Sequence, residues 1–484
     1  MAHSRQFPLL FFAASLGSVA AAADPPPSPS PPQLDDSIPP PPRKERREVG
    51  SPPPASSTGD GFSFGSYGRV GVGLDQKGRT GYGVNVVSFG PRLELPPYLE
   101  LNLYYGGRLP GGPRWRIILA PAFGGDFFHY TGSFESRFAV RNAYAEVVDL
   151  GLAGLQLWAG SRMYRGDDVY LLNFWPLDNL NTVGGGAIWA NPRWELKLHG
   201  GLNRPADPFQ YQTVPTAPRG VGPPGEAVVV DRPRLVMSFK ATRFLGAAPG
   251  AKISLYGELH RVPEGERQFV SQERKEALPA DLGGVVGAQL GGWLREFTFV
   301  NLWFRAAFGL AAYGEFTPPS RLGADKKTTR ARELTFALSL NYESKWIGLM
   351  AGGYARGFTD AGPGPYNAYD YVEGALALRP HVYLHKYFHV AVEVSYQGRQ
   401  YGGFDPLLNR RLTPQVFRAG IMPIVAPFGP GAYSRPQIYL AANWSRLNDD
   451  ARLALFDSPD LRAAESNVFY FGIGAEWWFQ SSYR

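Results

Sequence analysis

The stretch Phe469-Tyr470-Phe471-Gly472-Ile473-Gly474-Ala475-Glu476-Trp477-Trp478-Phe479 decides the fold. With a period of two, Phe469, Phe471, Ile473, Ala475, Trp477 and Phe479 fall on one face, and Trp478 falls on the other. Successive side chains of a β-strand point to opposite sides, so this segment reads as a strand with one continuous apolar face.

The alternation recurs upstream. In Tyr98-Leu99-Glu100-Leu101-Asn102-Leu103-Tyr104-Tyr105 the leucines take one face while Tyr98, Glu100, Asn102 and Tyr104 take the other. Residues 194–199, 252–259 and 334–342 repeat the pattern. A soluble sandwich also alternates. Long apolar faces with aromatic ends, separated by turn residues, instead match membrane-spanning strands of roughly 9 to 11 residues with interfacial aromatic girdles. From Phe62 to Phe479 is about 418 residues. At roughly 23 residues per strand and connection, this predicts an all-β, transmembrane antiparallel β-barrel of about 18 strands. A barrel that wide keeps an aqueous lumen, lined by the polar faces.

Composition agrees. The 484 residues are 44% hydrophobic and only 19% charged, with 58 glycines and no cysteine. The lack of cysteine excludes a disulfide scaffold and a Cys-ligated zinc site. No cofactor or metal is expected. The net charge of +7 is spread among acidic residues, without the basic patch and binding module that a nucleic-acid partner requires.

At the N-terminus Arg5 precedes the apolar run Pro8-Leu9-Leu10-Phe11-Phe12-Ala13-Ala14, and small residues lead to Ala21-Ala22-Ala23. This reads as a secretory signal peptide over 1–23, cleaved before Asp24. No later stretch has the roughly 20 apolar residues of a spanning helix, so a membrane crossing must use a closed barrel. Residues 24–61 are proline-rich and carry Arg43-Lys44-Glu45-Arg46-Arg47. They read as a periplasmic spacer unable to bury a core, with tethering to an acidic polymer as the alternative. The barrel is expected over 62–479, followed by a short extension over 480–484.

The segment 158–178, Trp158 through Asp178, resembles the loop of maltoporins that folds into the barrel and narrows the channel. Further matches follow in the same order: Phe64-Gly65-Ser66-Tyr67-Gly68-Arg69, Arg92-Leu93 with Tyr98-Leu99-Glu100-Leu101, and Ala139-Val140-Arg141-Asn142-Ala143. Leu378-Arg379-Pro380, Tyr433-Ser434-Arg435-Pro436-Gln437 and the closing strand complete the set. The terminal aromatics also resemble the C-terminal sorting signature of outer-membrane barrels.

The resemblance implies a carbohydrate-selective porin, trimeric and embedded in outer-membrane lipid. Its substrates would be sugars or oligosaccharides, which such porins pass along an aromatic slide flanked by ionisable residues. Sugar rings offer apolar faces that stack on aromatics and hydroxyl rims that accept charged partners. By position, Tyr67, Tyr98, Trp175, Tyr433 and Trp478 supply the slide, with Trp175 at the constriction. Arg69, Arg92, Glu100, Arg141 and Asp168 supply the polar track. This chain departs from the family at Trp175 (Tyr in the family), Tyr433 (Trp), Asn173 (Asp) and Gly166 (Arg), so the resemblance does not single out maltose oligomers. For the slide aromatic contributed by a neighbouring subunit, Phe128, Tyr130 and Phe134 are the candidates.

Three other readings stay open. A general diffusion porin needs the barrel without the slide. A secreted sugar-binding β protein would use similar aromatics and dissolve without detergent. A barrel hydrolase would need a catalytic constellation, yet none of the seven histidines lies beside a Gly-x-Ser-x-Gly motif; the chain reads as a channel rather than an enzyme.

Overall fold

The computed structural model describes residues 60–481 except 95, 126–131, 133–135, 216–225, 247–249, 270–273, 296, 364–368, 406 and 458. The expected signal peptide, nearly all of the proline-rich segment, residues 482–484 and the candidates Phe128, Tyr130 and Phe134 therefore lie outside the described residues.

The strands are, in chain order, β1 (Gly61–Leu74), β2 (Tyr98–Arg108), β3 (Arg114–Gly124), β4 (Arg137–Val148), β5 (Leu155–Arg165), β6 (Asn179–Ala190) and β7 (Trp194–Asn203). Then come β8 (Tyr211–Pro215), β9 (Glu226–Asp231), β10 (Arg234–Leu245), β11 (Ala251–Val262), β12 (Gly265–Phe269), β13 (Arg274–Leu278), β14 (Asp281–Arg295) and β15 (Thr298–Gly309). The last are β16 (Arg332–Glu343), β17 (Ile347–Thr359), β18 (Tyr371–His385), β19 (Phe388–Tyr401), β20 (Gln415–Val425), β21 (Gln437–Leu447) and β22 (Asn467–Phe479). Eighteen of them form one antiparallel sheet, while β8–β9 and β12–β13 are separate hairpins in the connections. The sheet closes on itself, because β1 pairs with β2 on one side and with β22 on the other, Tyr67 lying opposite Trp478. The expected 18-stranded barrel is thus the fold.

Closure gives every strand of the sheet a neighbour on both sides, which the terminal strands of an open sheet in lipid would lack. The faces are inverted relative to a water-soluble protein. Leu255, Phe336, Val372 and Phe471 are exposed on the outside, while Ser254, Thr335, Glu373 and Gln397 are buried on the inside. Exposed apolar side chains recurring around a whole barrel suit a lipid surround and no soluble sandwich. The expected parity holds at Tyr98–Tyr105 as well: Glu100, Asn102 and Tyr104 point inward and Leu101 and Tyr105 outward.

One rim consists mainly of tight connections, such as 191–193, 344–346 and 386–387; the other carries the long ones, including 75–97, 166–178 and 310–331. Exposed aromatics such as Phe62, Tyr105, Trp346 and Tyr387 gather at the tight-turn rim, where an interfacial girdle belongs.

Two long connections turn inward. In 166–178 a single 3-10 turn, Tyr170–Leu172, ends at Asn173 in the left-handed conformation, φ 52°, a conformation that asparagine tolerates. Its side chains reach the opposite wall. A Cβ on Gly352 of β17 would come within 2.7 Å of Val169, and one on Gly287 of β14 within 2.5 Å of Leu177. Glycine at those two wall positions is what makes room for the loop. The first connection, 75–97, follows it inward: Phe89 stacks on Phe174 at 4.0 Å between centroids, and the Val86 amide donates to Gln397 at 3.0 Å.

Candidate functional site

Cross-strand geometry sets the first part of the site. Tyr67 and Trp478 are register partners on β1 and β22 with inward parity, and their rings lie 6.4 Å apart at 23°. Tyr98 of β2 adds a third ring, 5.7 Å from Tyr67. The inward loop supplies the fourth, Tyr170, whose centroid is 6.3 Å from Trp478 and 5.3 Å from Tyr433. Tyr98, Tyr67, Trp478, Tyr170 and Tyr433 therefore form one continuous aromatic row along the wall.

Charges run beside it. Glu476, buried on the same face of β22 as Trp478, is the hub. It accepts from Arg92 at 3.0 Å, Arg435 at 2.7 Å, Tyr67 at 3.2 Å and Tyr170 at 2.9 Å. Arg435 also donates to the Tyr170 hydroxyl and places its guanidinium 4.1 Å from the Trp478 ring. Arg92 sits 4.4 Å over the Tyr170 ring. A buried carboxylate is stable only when paired and hydrogen-bonded, so this cluster fixes ring orientations as well as charges. At the other end Arg69 donates to the Tyr67 hydroxyl at 3.0 Å and Tyr98 donates to Glu100 at 2.7 Å. The Arg141 guanidinium stands 6.0 Å from the Tyr98 ring.

All ten residues singled out from the sequence lie around this row or in its loop. Tyr67, Tyr98, Tyr433 and Trp478 belong to the row, and Arg69, Arg92, Glu100 and Arg141 flank it. Asp168 is buried within the inward loop. The tenth, Trp175, is buried in the same loop with the Arg165 guanidinium 3.9 Å over its ring. Sequence reading missed Tyr170, Glu476 and Arg435. A signal existed for two of them: Glu476 shares parity with Trp478, and Arg435 is two residues from Tyr433. Nothing local marked Tyr170 among the other aromatics of its loop.

The loop is pinned at both ends. Lys240 of β10 donates to both oxygens of Asp178 at 3.1 Å, and Lys252 of β11 pairs with Asp167 at 2.8 Å. Burial works against the Asp167 carboxylate, but Lys252 and Lys240 hold it down to about 2. Gln289 of β14 adds a donor to Asp167 at 2.6 Å.

A second charged track, also unforeseen, crosses β15 to β19. Arg305 pairs with Glu333, Arg356 bonds Glu333 at 2.7 Å and lies 3.6 Å from Glu373, and Arg399 bonds Glu373 at 2.9 Å. Alternating charge along an inner wall offers donors and acceptors to a passing polar solute while pairing each carboxylate with a guanidinium.

Among solved structures the chain is similar to OccAB1 of Acinetobacter baumannii, at 10% identity over 89% of this chain and 99% of that one, with TM-score 0.45. It is also similar to the outer-membrane protein OprD of Pseudomonas aeruginosa (9% identity, 90% and 98% covered, TM-score 0.43). A third is OmpT of Vibrio cholerae in its trimer form (10%, 87% and 100%, TM-score 0.38). No curated protein matches the chain. The family described as LamB porin matches residues 62–479, the whole run of barrel strands save one residue. With that match over an 18-stranded barrel whose loop folds into the lumen, the chain belongs to the LamB porin family and is an outer-membrane diffusion channel.

Proposed function

We propose that this porin conducts sugars or oligosaccharides by facilitated diffusion along the aromatic row. The observation that carries the reading is the unbroken sequence of rings Tyr98, Tyr67, Trp478, Tyr170 and Tyr433, spaced 5.3 to 6.4 Å and flanked by Arg69, Arg92, Arg435 and Glu476. A sugar stacks its apolar face on successive rings while its hydroxyls exchange bonds with the adjacent charges. Trp175, Asp168, Glu100 and Arg141 complete the path. The test is conductance in planar bilayers with candidate sugars added. Saturable current block supports the reading, and its absence for all sugars overturns it.

One observation favours a general diffusion porin instead. Glu476 already accepts from four side chains of the row and its flank, so a solute must displace bonds that the wall makes with itself. Unselective permeation of small solutes, without block, is the outcome that reading expects.

The assembly reading is a homotrimer in outer-membrane lipid, following the likeness to maltoporins. A detergent-resistant oligomer that shifts on gels after boiling supports it; a soluble monomer overturns it. Residues 1–23 serve as a cleaved signal and 24–61 as a spacer outside the pore. N-terminal sequencing of the mature protein and deletion of the spacer without change in single-channel current test these two statements.

A further inference from the structure

The β5–β6 hairpin leaves the barrel wall part-way up. Pairing of β4 with β5 stops at Ala143 and Ser161, and pairing of β6 with β7 stops at Val183 and Leu202, although β5 and β6 remain paired with each other as far as Arg165 and Asn179. Gly160, at φ 134°, stands at the bend, where a Cβ would lie 2.4 Å from the Ala143 carbonyl. The detached tip turns inward to present the constriction loop, and behind it a cleft opens in the wall between β4 and β7.

The cleft has a volume of about 780 Å³ and is lined by Arg141, Arg162, Arg165 and Arg204, with Asp231 the only carboxylate among the described residues that line it. Arg162 is 7% exposed and has one guanidinium nitrogen, Nη1, without a hydrogen-bond partner; Nε of Arg141 is also unpartnered. Three rings hold the Arg162 guanidinium, those of Tyr144 at 4.8 Å, Trp158 at 5.0 Å and Tyr164 at 5.5 Å. Aromatic faces fix a guanidinium plane by cation–π attraction but satisfy none of its N–H donors. Buried donors are rarely left unpaired, and a native exception calls for a missing partner.

We propose that this cleft is an anion site, adjoining the aromatic row where they share Arg141, that binds a phosphoryl group through Arg162 and Arg141, with Arg165 and Arg204 at its sides. Guanidinium groups match phosphate oxygens in geometry and charge better than any other side chain. Two carboxyls border the site and do not cancel it. Asp231 faces Arg204 at 3.5 Å, and both groups are about half exposed. Glu315 accepts from the Asn181 amide at 2.8 Å, and burial, which disfavours the charged form, pushes its carboxyl up to about 7. The cleft also touches outward-facing Val140, Val183 and Leu202. It is therefore reached from the lipid side, by a lipid headgroup phosphate, as well as by a soluble sugar phosphate. The inference does not rest on sugar transport.

The experiment titrates the full chain, purified in neutral detergent, with inorganic phosphate at fixed ionic strength and follows heat by calorimetry. Saturable binding is expected, weakened about tenfold or more in Arg162→Gln. Arg165→Gln, on the same hairpin but outside the aromatic clamp, is the second variant should Arg162→Gln lose its heat-dependent gel shift; it is expected to weaken binding several-fold. Absence of saturable phosphate binding by the unaltered protein, or binding by the folded variants equal to it, overturns the proposal. Competition then separates the sources. Diphosphoryl lipid A in nanodiscs displacing phosphate identifies a headgroup, and glucose 6-phosphate alone displacing it identifies a soluble ligand. Failure of both to compete overturns the site.

Discussion

The hydroxyl of Tyr170 donates to Glu476 at 2.9 Å, joining residues 306 positions apart and tying the inward loop to the last strand. The same hydroxyl accepts from Arg435. Removing it leaves two buried charged groups short of a partner, at a cost of about 1.5 to 3 kcal/mol. Tyr170→Phe is therefore expected to loosen the loop without removing the ring. Single-channel recordings should show larger current fluctuations and a higher mean conductance; traces equal to wild type would mean that the lysine clamps alone hold the loop.

Trp175→Ala tests the aromatic assigned to the constriction. Millimolar affinity, about 4 kcal/mol in all, suits a solute that must also leave. One stacked ring contributes roughly 0.5 to 1.5 kcal/mol, so sugar block should weaken about two- to tenfold. Conductance should rise as well. Phe471→Ala, which alters a lipid-facing ring 52% exposed, should change neither. Unchanged block and conductance in Trp175→Ala would remove that residue from the path.

Gly352 gives a test from the opposite wall. A Cβ there meets a methyl of Val169 at 2.7 Å, so Gly352→Val must push the loop away or strain it, typically for about 1 to 3 kcal/mol. The barrel should still assemble, judged by its heat-dependent gel shift, and conductance should change. An unaltered conductance would show that the loop does not press on β17.

Acid should loosen the loop at its Asp167 end. The folded Asp167 carboxyl sits at about 2, below its ordinary 3.8. A depressed carboxylate contributes stability that is present above the ordinary value and lost as pH falls toward the folded one. The contribution is on the order of 2 kcal/mol. Conductance should be steady from neutrality to about pH 4, then become noisier toward pH 2. Asp167→Asn should show that noise at neutral pH, and a flat profile in both proteins would discount the Lys252 clamp.

Local alternation in the sequence determined the barrel, its approximate strand number and the side on which each strand residue lies. Period-two parity is a property of the strand itself, which is why Tyr98, Glu100 and Trp478 could be directed into the lumen before any pairing was known. Only the tertiary structure decided which groups meet across that lumen. Parity says nothing of height along the wall or of a partner several strands away, so Glu476 was legible as an inward residue but not as an anchor for Tyr170 shared with Arg435, which lies in the connection before β21. The inward course of 75–97 and the detachment of β5–β6 at Gly160 are likewise products of closure: a loop enters the lumen only where the far wall leaves space, and that space is set by Gly352 and Gly287, whose distance from the loop in sequence hides their relation to it.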